Sequence, residues 1–125
     1  MQAMVIDDSR ATRAILARTL EELGYEVVQA GHGREALELL EHTPDIDLAL
    51  VDWNMPVMNG LELVRAVRAD DRFASVTLVM VTTEGDSDHM VTALEAGADE
   101  YVMKPFTAET IEEKLCLLGL VELDR

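Results

Sequence analysis

The sequence predicts a single α/β domain: five parallel strands in a doubly wound sheet, with five helices covering both faces. Two observations lead there. Five short apolar or β-branched runs alternate strictly with five segments of helical spacing, and such alternation implies parallel strands joined by right-handed crossovers. The third and fourth runs, residues 46–51 and 76–81, are nearly continuous in apolar character, as central strands covered on both faces must be.

In chain order, residues 3–6 form the first strand. The helix after it presents Ile15, Leu16, Thr19, Leu20 and Leu23 on one face, with Ser9 as N-cap and Gly24 just past its end. Residues 25–30 are the second strand, and Ala36, Leu37 and Leu40 mark the second helix. After the third strand, Asn59-Gly60 opens a helix with Leu61, Val64 and Val67 turned inward. The fourth helix has acids at Asp86 and Asp88, an inner face of Met90, Val91 and Leu94, and Gly97 as its stop. Residues 100–103 are the last strand. Thr107 then caps a helix carrying Ile111, Leu115 and Leu118, which Gly119 follows.

A chain of 125 residues has room for one core, so one domain is expected over 1–125. Its single cysteine excludes a disulfide framework and a cysteine zinc site, and points to a reducing compartment. The longest apolar stretches, such as 76–81 and 115–121, fall far short of the roughly 20 residues needed to span a bilayer. Met1-Gln2-Ala3-Met4 has none of the marks of a signal peptide. A soluble cytoplasmic protein without membrane insertion is the expectation. Ten basic residues against 25 acidic ones give a net charge of −15, which argues against direct binding to nucleic acid or anionic membrane. The acidity is denser in residues 84–125, with 11 acids against 3 bases. That suits a solvated surface and a partner-facing one equally.

In doubly wound sheets the working crevice lies beyond the carboxyl ends of the strands. Here those ends carry Asp7-Asp8, Asp52-Trp53-Asn54, Thr82-Thr83 and Lys104-Pro105. Each alone has an ordinary explanation: an aspartate as cap, a threonine as β-former, a lysine in solvent. Complementary polar groups on four of the five strand ends are harder to dismiss. Three carboxylates in one pocket repel one another and suit a hard cation such as Mg²⁺. A carboxylate beside that ion can act as nucleophile toward phosphorus. The ammonium and hydroxyl would then neutralise and bond the phosphoryl oxygens. Asp52, on the central strand, is best placed as the nucleophile, and Asp7 and Asp8 as metal ligands.

These segments resemble the receiver domain of two-component response regulators over essentially the whole chain. The resemblance rests on Val5-Ile6-Asp7-Asp8-Ser9, Val51-Asp52-Trp53-Asn54-Met55-Pro56 with Asn59-Gly60, Met80-Val81-Thr82, Gly97-Ala98, and Tyr101-Val102-Met103-Lys104-Pro105-Phe106. Asp52 to Pro56 and Lys104 to Thr107 bring it nearest to the family's stand-alone chemotaxis members. The resemblance implies the flavodoxin-like strand order 2-1-3-4-5, taken over from the family. It implies that Asp52 accepts phosphate from a sensor histidine kinase, with Mg²⁺ held by Asp7, Asp8, Asp52 and the carbonyl of Asn54. Lys104 would pair with the phosphoryl group, with a cis bond to Pro105. Thr82 would move to the phosphate and Tyr101 would turn into the space it leaves, altering the face made by helix four, strand five and helix five. A regulator is implied rather than an enzyme, one that assists its own phosphotransfer and dephosphorylation. It would act through a phosphorylation-dependent protein target, as a monomer or weak dimer. The chain ends soon after the fifth helix: as a whole protein it would signal by binding, and as a piece of a longer one it would act through an effector domain beyond the given sequence. Thr83 is bulkier than the family's usual residue there, and Asn54 and Glu84 flank the line of attack.

The remaining candidates are weaker. His32, His42 and His89 show no ligand spacing and read as surface histidines. Cys116, among leucines, reads as near-core packing, as do Met55 and Met58. Haloacid-dehalogenase-type phosphatases also form an aspartyl phosphate, but from an Asp-x-Asp motif after the first strand. Asp7-Asp8 has no such spacing. A receiver acting without phosphorylation is disfavoured by the complete set of polar groups.

Overall fold

A computed structural model describes residues 1–43, 45–83 and 87–121, at backbone level only for 83 and 87–89. The elements alternate as expected: β1 (Gln2–Ile6), α1 (Arg10–Glu22), β2 (Glu26–Ala30), α2 (Gly33–His42), β3 (Ile46–Asp52), α3 (Gly60–Arg68), β4 (Thr77–Thr83), α4 (Ser87–Ala96), β5 (Glu100–Lys104) and α5 (Ala108–Leu117). All pairings are parallel, in the order β2-β1-β3-β4-β5. The strand bounds differ by a residue or so from those read off the sequence, where ladder pairing rather than apolarity sets the ends.

Alternation along the strands divides the interior into two cores. Ala3, Val5, Leu48, Leu50, Val79 and Val81 face α1 and α5 through Leu16, Leu20, Ile111 and Leu115. Met4, Ile6, Ala49, Val51, Leu78 and Met80 face the other three helices through Ala36, Leu40, Leu63, Val64, Val67 and Ala93. Covered on both sides, β1, β3 and β4 form the rigid base whose upper edge carries Asp7, Asp52 and Thr82.

Two helix faces differ from expectation. Ile15 is exposed, because the α1 stripe runs through Leu16, Ala17, Thr19 and Leu20. On α4, Val91 and Leu94 are exposed and Ala93 is buried. That helix has apolar residues around much of its circumference, so periodicity alone does not choose its inner side. A 3₁₀ turn at Asp71–Phe73, capped by Asp70, was also not foreseen. Among the described residues, no helix is long and apolar enough to cross a membrane.

Arg68, the last residue of α3, ties several elements together. Its Nε donates to the Gly97 carbonyl at 2.8 Å, its Nη1 to Phe73 and Ala74 at 3.3 and 3.5 Å, and its Nη2 to Val76 and to Asp99 Oδ2 at 2.8 Å each. Asp99 Oδ2 also accepts from the Leu78 amide at 2.8 Å. Arg68→Met is expected to lower the unfolding free energy in urea by about 2–3 kcal/mol, since partly buried acceptors lose their donor. Lysine, lacking the planar fork, should not rescue it. A change within about 0.5 kcal/mol, the range of ordinary surface substitutions, would show that Arg68 holds nothing together.

Candidate functional site

The register places the first two carboxylates. Ile6 pairs with Val51, so Asp7 and Asp52 leave adjacent strands at the same level. Asp7 is wholly buried and fully engaged. Its amide donates to the Ala30 carbonyl at 3.1 Å, and its Oδ1 accepts from the Ser9 amide at 2.8 Å. Its own carbonyl accepts from Arg13 Nη1 at 2.8 Å. Asp52 is only 5% exposed, whereas Asp8 lies at the surface. The three carboxylates offer oxygens all within 4.8 Å of one another.

Lys104 reaches this cluster from two residues beyond the row that Asp52 shares with Val81 and Val102. Its long stem spans that offset, and Nζ lies 3.1 Å from Asp52 Oδ1 and 3.4 Å from Asp7 Oδ2. Burial pushes the Asp52 carboxyl up to about 6, and the charges of Asp7 and, less, Asp8 add to that against the pull of Lys104. Burial also works against the Lys104 charge, but Asp52 and Asp7 outweigh it and its pKa rises. The lysine thus keeps its proton, and Asp52 becomes the weakened acid. Three carboxylates facing one ammonium leave surplus negative charge on hard oxygen donors, a set that fits Mg²⁺.

The loop from β3 to α3 is tightly held. The Trp53 amide donates to the Val81 carbonyl at 3.2 Å, and the Gly60 amide to the Trp53 carbonyl at 2.9 Å. A Cβ on Gly60 would overlap the Asp52 carbonyl oxygen and stand 2.8 Å from Met80 Cε, so only glycine lets α3 start there. Asn59 and Glu62 form a capping box. Between these anchors the Met58 amide donates to the Pro56 carbonyl at 2.7 Å, closing a γ-turn around Val57 at φ 70°. Positive φ at a β-branched residue is strained, and no residue pattern announced it.

Thr82 is buried, one residue past Val81, the register partner of Asp52. Asn54, two residues after Asp52, is exposed, and the Lys104-Pro105 bond is cis. Tyr101 is half-buried, with Lys114 Nζ 4.7 Å from its ring centre and 3.4 Å from Glu100 Oε1. The Thr83 side chain, Glu84, Asp86, and the side chains of Asp88 and His89 lie outside the described residues. His32 is more than a surface histidine. Its Nδ1 caps α2 by accepting from the Glu35 amide at 3.2 Å, while Glu35 Oε1 accepts from Gly31 at 2.7 Å. A histidine three residues before a glutamate was the available signal. His42 is exposed as expected, Cys116 is half-buried, Met55 is buried and Met58 half-buried.

A buried aspartate, two neighbouring carboxylates and a lysine at the strand ends of a 2-1-3-4-5 sheet define a signalling receiver. The family model described as response regulator receiver domain matches residues 3–116, and the chain belongs to that family. It is CheY-like. Chemotaxis protein CheY1 of Helicobacter pylori strain J99 is 49% identical over 92% of this chain and 94% of its own. Chemotaxis protein CheY of Pseudomonas aeruginosa is 40% identical over 92% and 93%. The crystal structure of Vibrio cholerae chemotaxis protein CheY4 superposes with a TM-score of 0.86 at 35% identity, covering 93% of this chain and 96% of that one.

Proposed function

We propose that this receiver, filling residues 1–125 as one unit, is a phosphorylation-operated switch whose acceptor is Asp52. The observation that carries the reading is a buried Asp52 carboxylate within 4.8 Å of two further carboxylates and 3.1 Å from the Lys104 ammonium. An Asp52 oxygen attacks the phosphorus of a sensor kinase's phosphohistidine. The P–N bond breaks with its electron pair returning to the imidazole, and a P–O bond forms. Asp7, Asp8, Asp52 and the Asn54 carbonyl would hold Mg²⁺, which supplies positive charge to the phosphoryl oxygens. Lys104, released from Asp52 Oδ1, pairs with those oxygens. Thr82 donates its hydroxyl to them, and Tyr101 follows into the space vacated. The same pocket assists hydrolysis of the acyl phosphate.

The changed face of α4, β5 and α5 then selects a protein target, and the names of its relatives support chemotaxis as the pathway. A cytoplasmic protein, monomeric or weakly dimeric and without direct nucleic-acid binding, fits this role and the net charge of −15. Intact-mass measurement with Mg²⁺ and acetyl phosphate tests the reading. One added phosphoryl group is expected. Steady turnover of external phosphate esters would make the protein a phosphatase, and no label at all would make it a phosphorylation-independent binding module.

Switching can draw only on contacts that differ between the two states. Lys104→Ala and Thr82→Ala are therefore expected to accept some phosphate yet lose the phosphorylation-induced amide shifts of α4, β5 and α5 in NMR spectra. If both variants kept those shifts, the coupling would run through other residues.

A further inference from the structure

Just past the strained γ-turn at Val57, the chain runs close against another element. Gly33, the first residue of α2, sits against Met58, the residue after the turn. A Cβ at Gly33 would stand 2.9 Å from both the Met58 carbonyl oxygen and Met58 Cγ, and 3.0 Å from Met58 Cβ. The side-chain part of that conflict has an outlet. A cleft of about 300 Å³, lined by Arg34, Leu37, Glu38, Glu41 and Met58 itself, lies alongside. The carbonyl has none, because it belongs to the backbone of the loop.

We infer that Gly33 is a positioning residue for the Mg²⁺ site, bracing the β3–α3 loop through Met58 so that the Asn54 carbonyl faces the three carboxylates. Little slack separates Met58 from Asn54. Pro56 has a fixed φ, Val57 is closed in its hydrogen-bonded turn, and Met55 is buried in the core at 9% exposure. With the loop also closed at its ends by the Trp53 and Gly60 amides, a displacement of the Met58 carbonyl passes to the residues beside Asp52. Strain retained at a loop bordering a reactive group is a common form of pre-organisation. Here the restraint comes from a residue 19 positions before the acceptor, by the numbering of Gly33 and Asp52.

The inference rests on the metal site proposed above, so the test separates the two. Mg²⁺ is titrated into the metal-free protein while Trp53 fluorescence is followed, and melting temperatures are recorded alongside. Gly33→Ala is expected to weaken Mg²⁺ binding about tenfold, the scale at which residues behind a ligand act. Gly24→Ala, at φ +97° with nothing within 4 Å of the added Cβ, should lower the melting temperature and leave Mg²⁺ affinity alone. Val57→Gly relieves the turn but loosens it, so its melting temperature should hold or rise while Mg²⁺ affinity falls. That opposition is what a merely structural role would not produce. Gly33→Ala or Val57→Gly binding Mg²⁺ within about twofold of wild type, well short of the roughly 10–100-fold losses such supports show when removed, would overturn the inference alone. A wild type that does not respond to Mg²⁺ would overturn the metal reading and this inference with it.

Discussion

Asp52→Asn protein incubated with Mg²⁺ and acetyl phosphate at neutral pH is expected to gain no phosphoryl group where the wild type gains one. An amide has no anionic oxygen to attack phosphorus, and neither neighbour is placed to substitute. Asp7 is wholly buried, with one oxygen bonded to the Ser9 amide and the other 3.4 Å from Lys104. Asp8 stands at the surface just past β1 rather than on the central strand, where water screens its charge. Removing a nucleophile from an enzyme site costs up to about a millionfold in rate, so a loss of at least about a thousandfold in labelling is expected. Peptide mapping of phosphorylated wild type provides a second reading. Undiminished labelling in the variant, or a phosphopeptide that excludes residue 52, would move the acceptor elsewhere.

The same substitution should stabilise the protein when metal is absent, the reverse of what damaging a buried site usually does. The Asp52 carboxyl is raised from an ordinary 3.8 to about 6, first by burial and then by Asp7. A carboxyl with a raised folded-state pKa binds its proton more tightly in the folded than in the unfolded chain. Its contribution to stability is therefore most favourable below about 4. It is lost as pH rises through about 6 and is level above that. At pH 7.5 this amounts to a penalty on the order of 3 kcal/mol, at 1.36 kcal/mol per pKa unit. Asp52→Asn removes that penalty but also removes a partner of Lys104, so a net gain of about 1–2 kcal/mol is expected. At this size each kcal/mol moves the melting temperature by roughly 2–8 °C.

Mg²⁺ at a hundred times its Kd should add about 2.7 kcal/mol to the wild type, and much less to Asp52→Asn or Asp8→Asn. The measurement is a set of thermal melts at pH 4.5, 6 and 7.5, with and without Mg²⁺, on the three proteins. A metal-free Asp52→Asn less stable than wild type at pH 7.5 would refute the crowding of charge. Equal Mg²⁺ shifts in all three proteins would place the ion outside the cluster.

Most of the architecture was legible because its determinants repeat along the chain. Strand and helix periods alternate without interruption, so the parallel sheet followed, and with it the edge where Asp7, Asp52, Thr82 and Lys104 emerge. Short-range signals worked for the same reason. Ser9, Asn59 and Thr107 cap α1, α3 and α5, because a cap and its amide are neighbours in sequence.

What only the tertiary structure decided concerns residues whose partners are far away in the chain or are backbone atoms. Val91 and Leu94 had the spacing of an inner face, but α4 turns Ala93 inward, because contact with the rest of the molecule chooses the side when apolar residues surround a helix. Arg68 looked like any basic residue at a helix end until the carbonyls of Phe73, Val76 and Gly97 closed around it. Gly33 and Val57 carry no motif at all. One is set by a carbonyl 25 positions on, from Gly33 to Met58, and the other by a turn that its own β-branched side chain disfavours. The residue types of the candidate site can thus be read from the chain. The backbone positions around them depend on distant elements packing against one another, and local pattern holds no record of that.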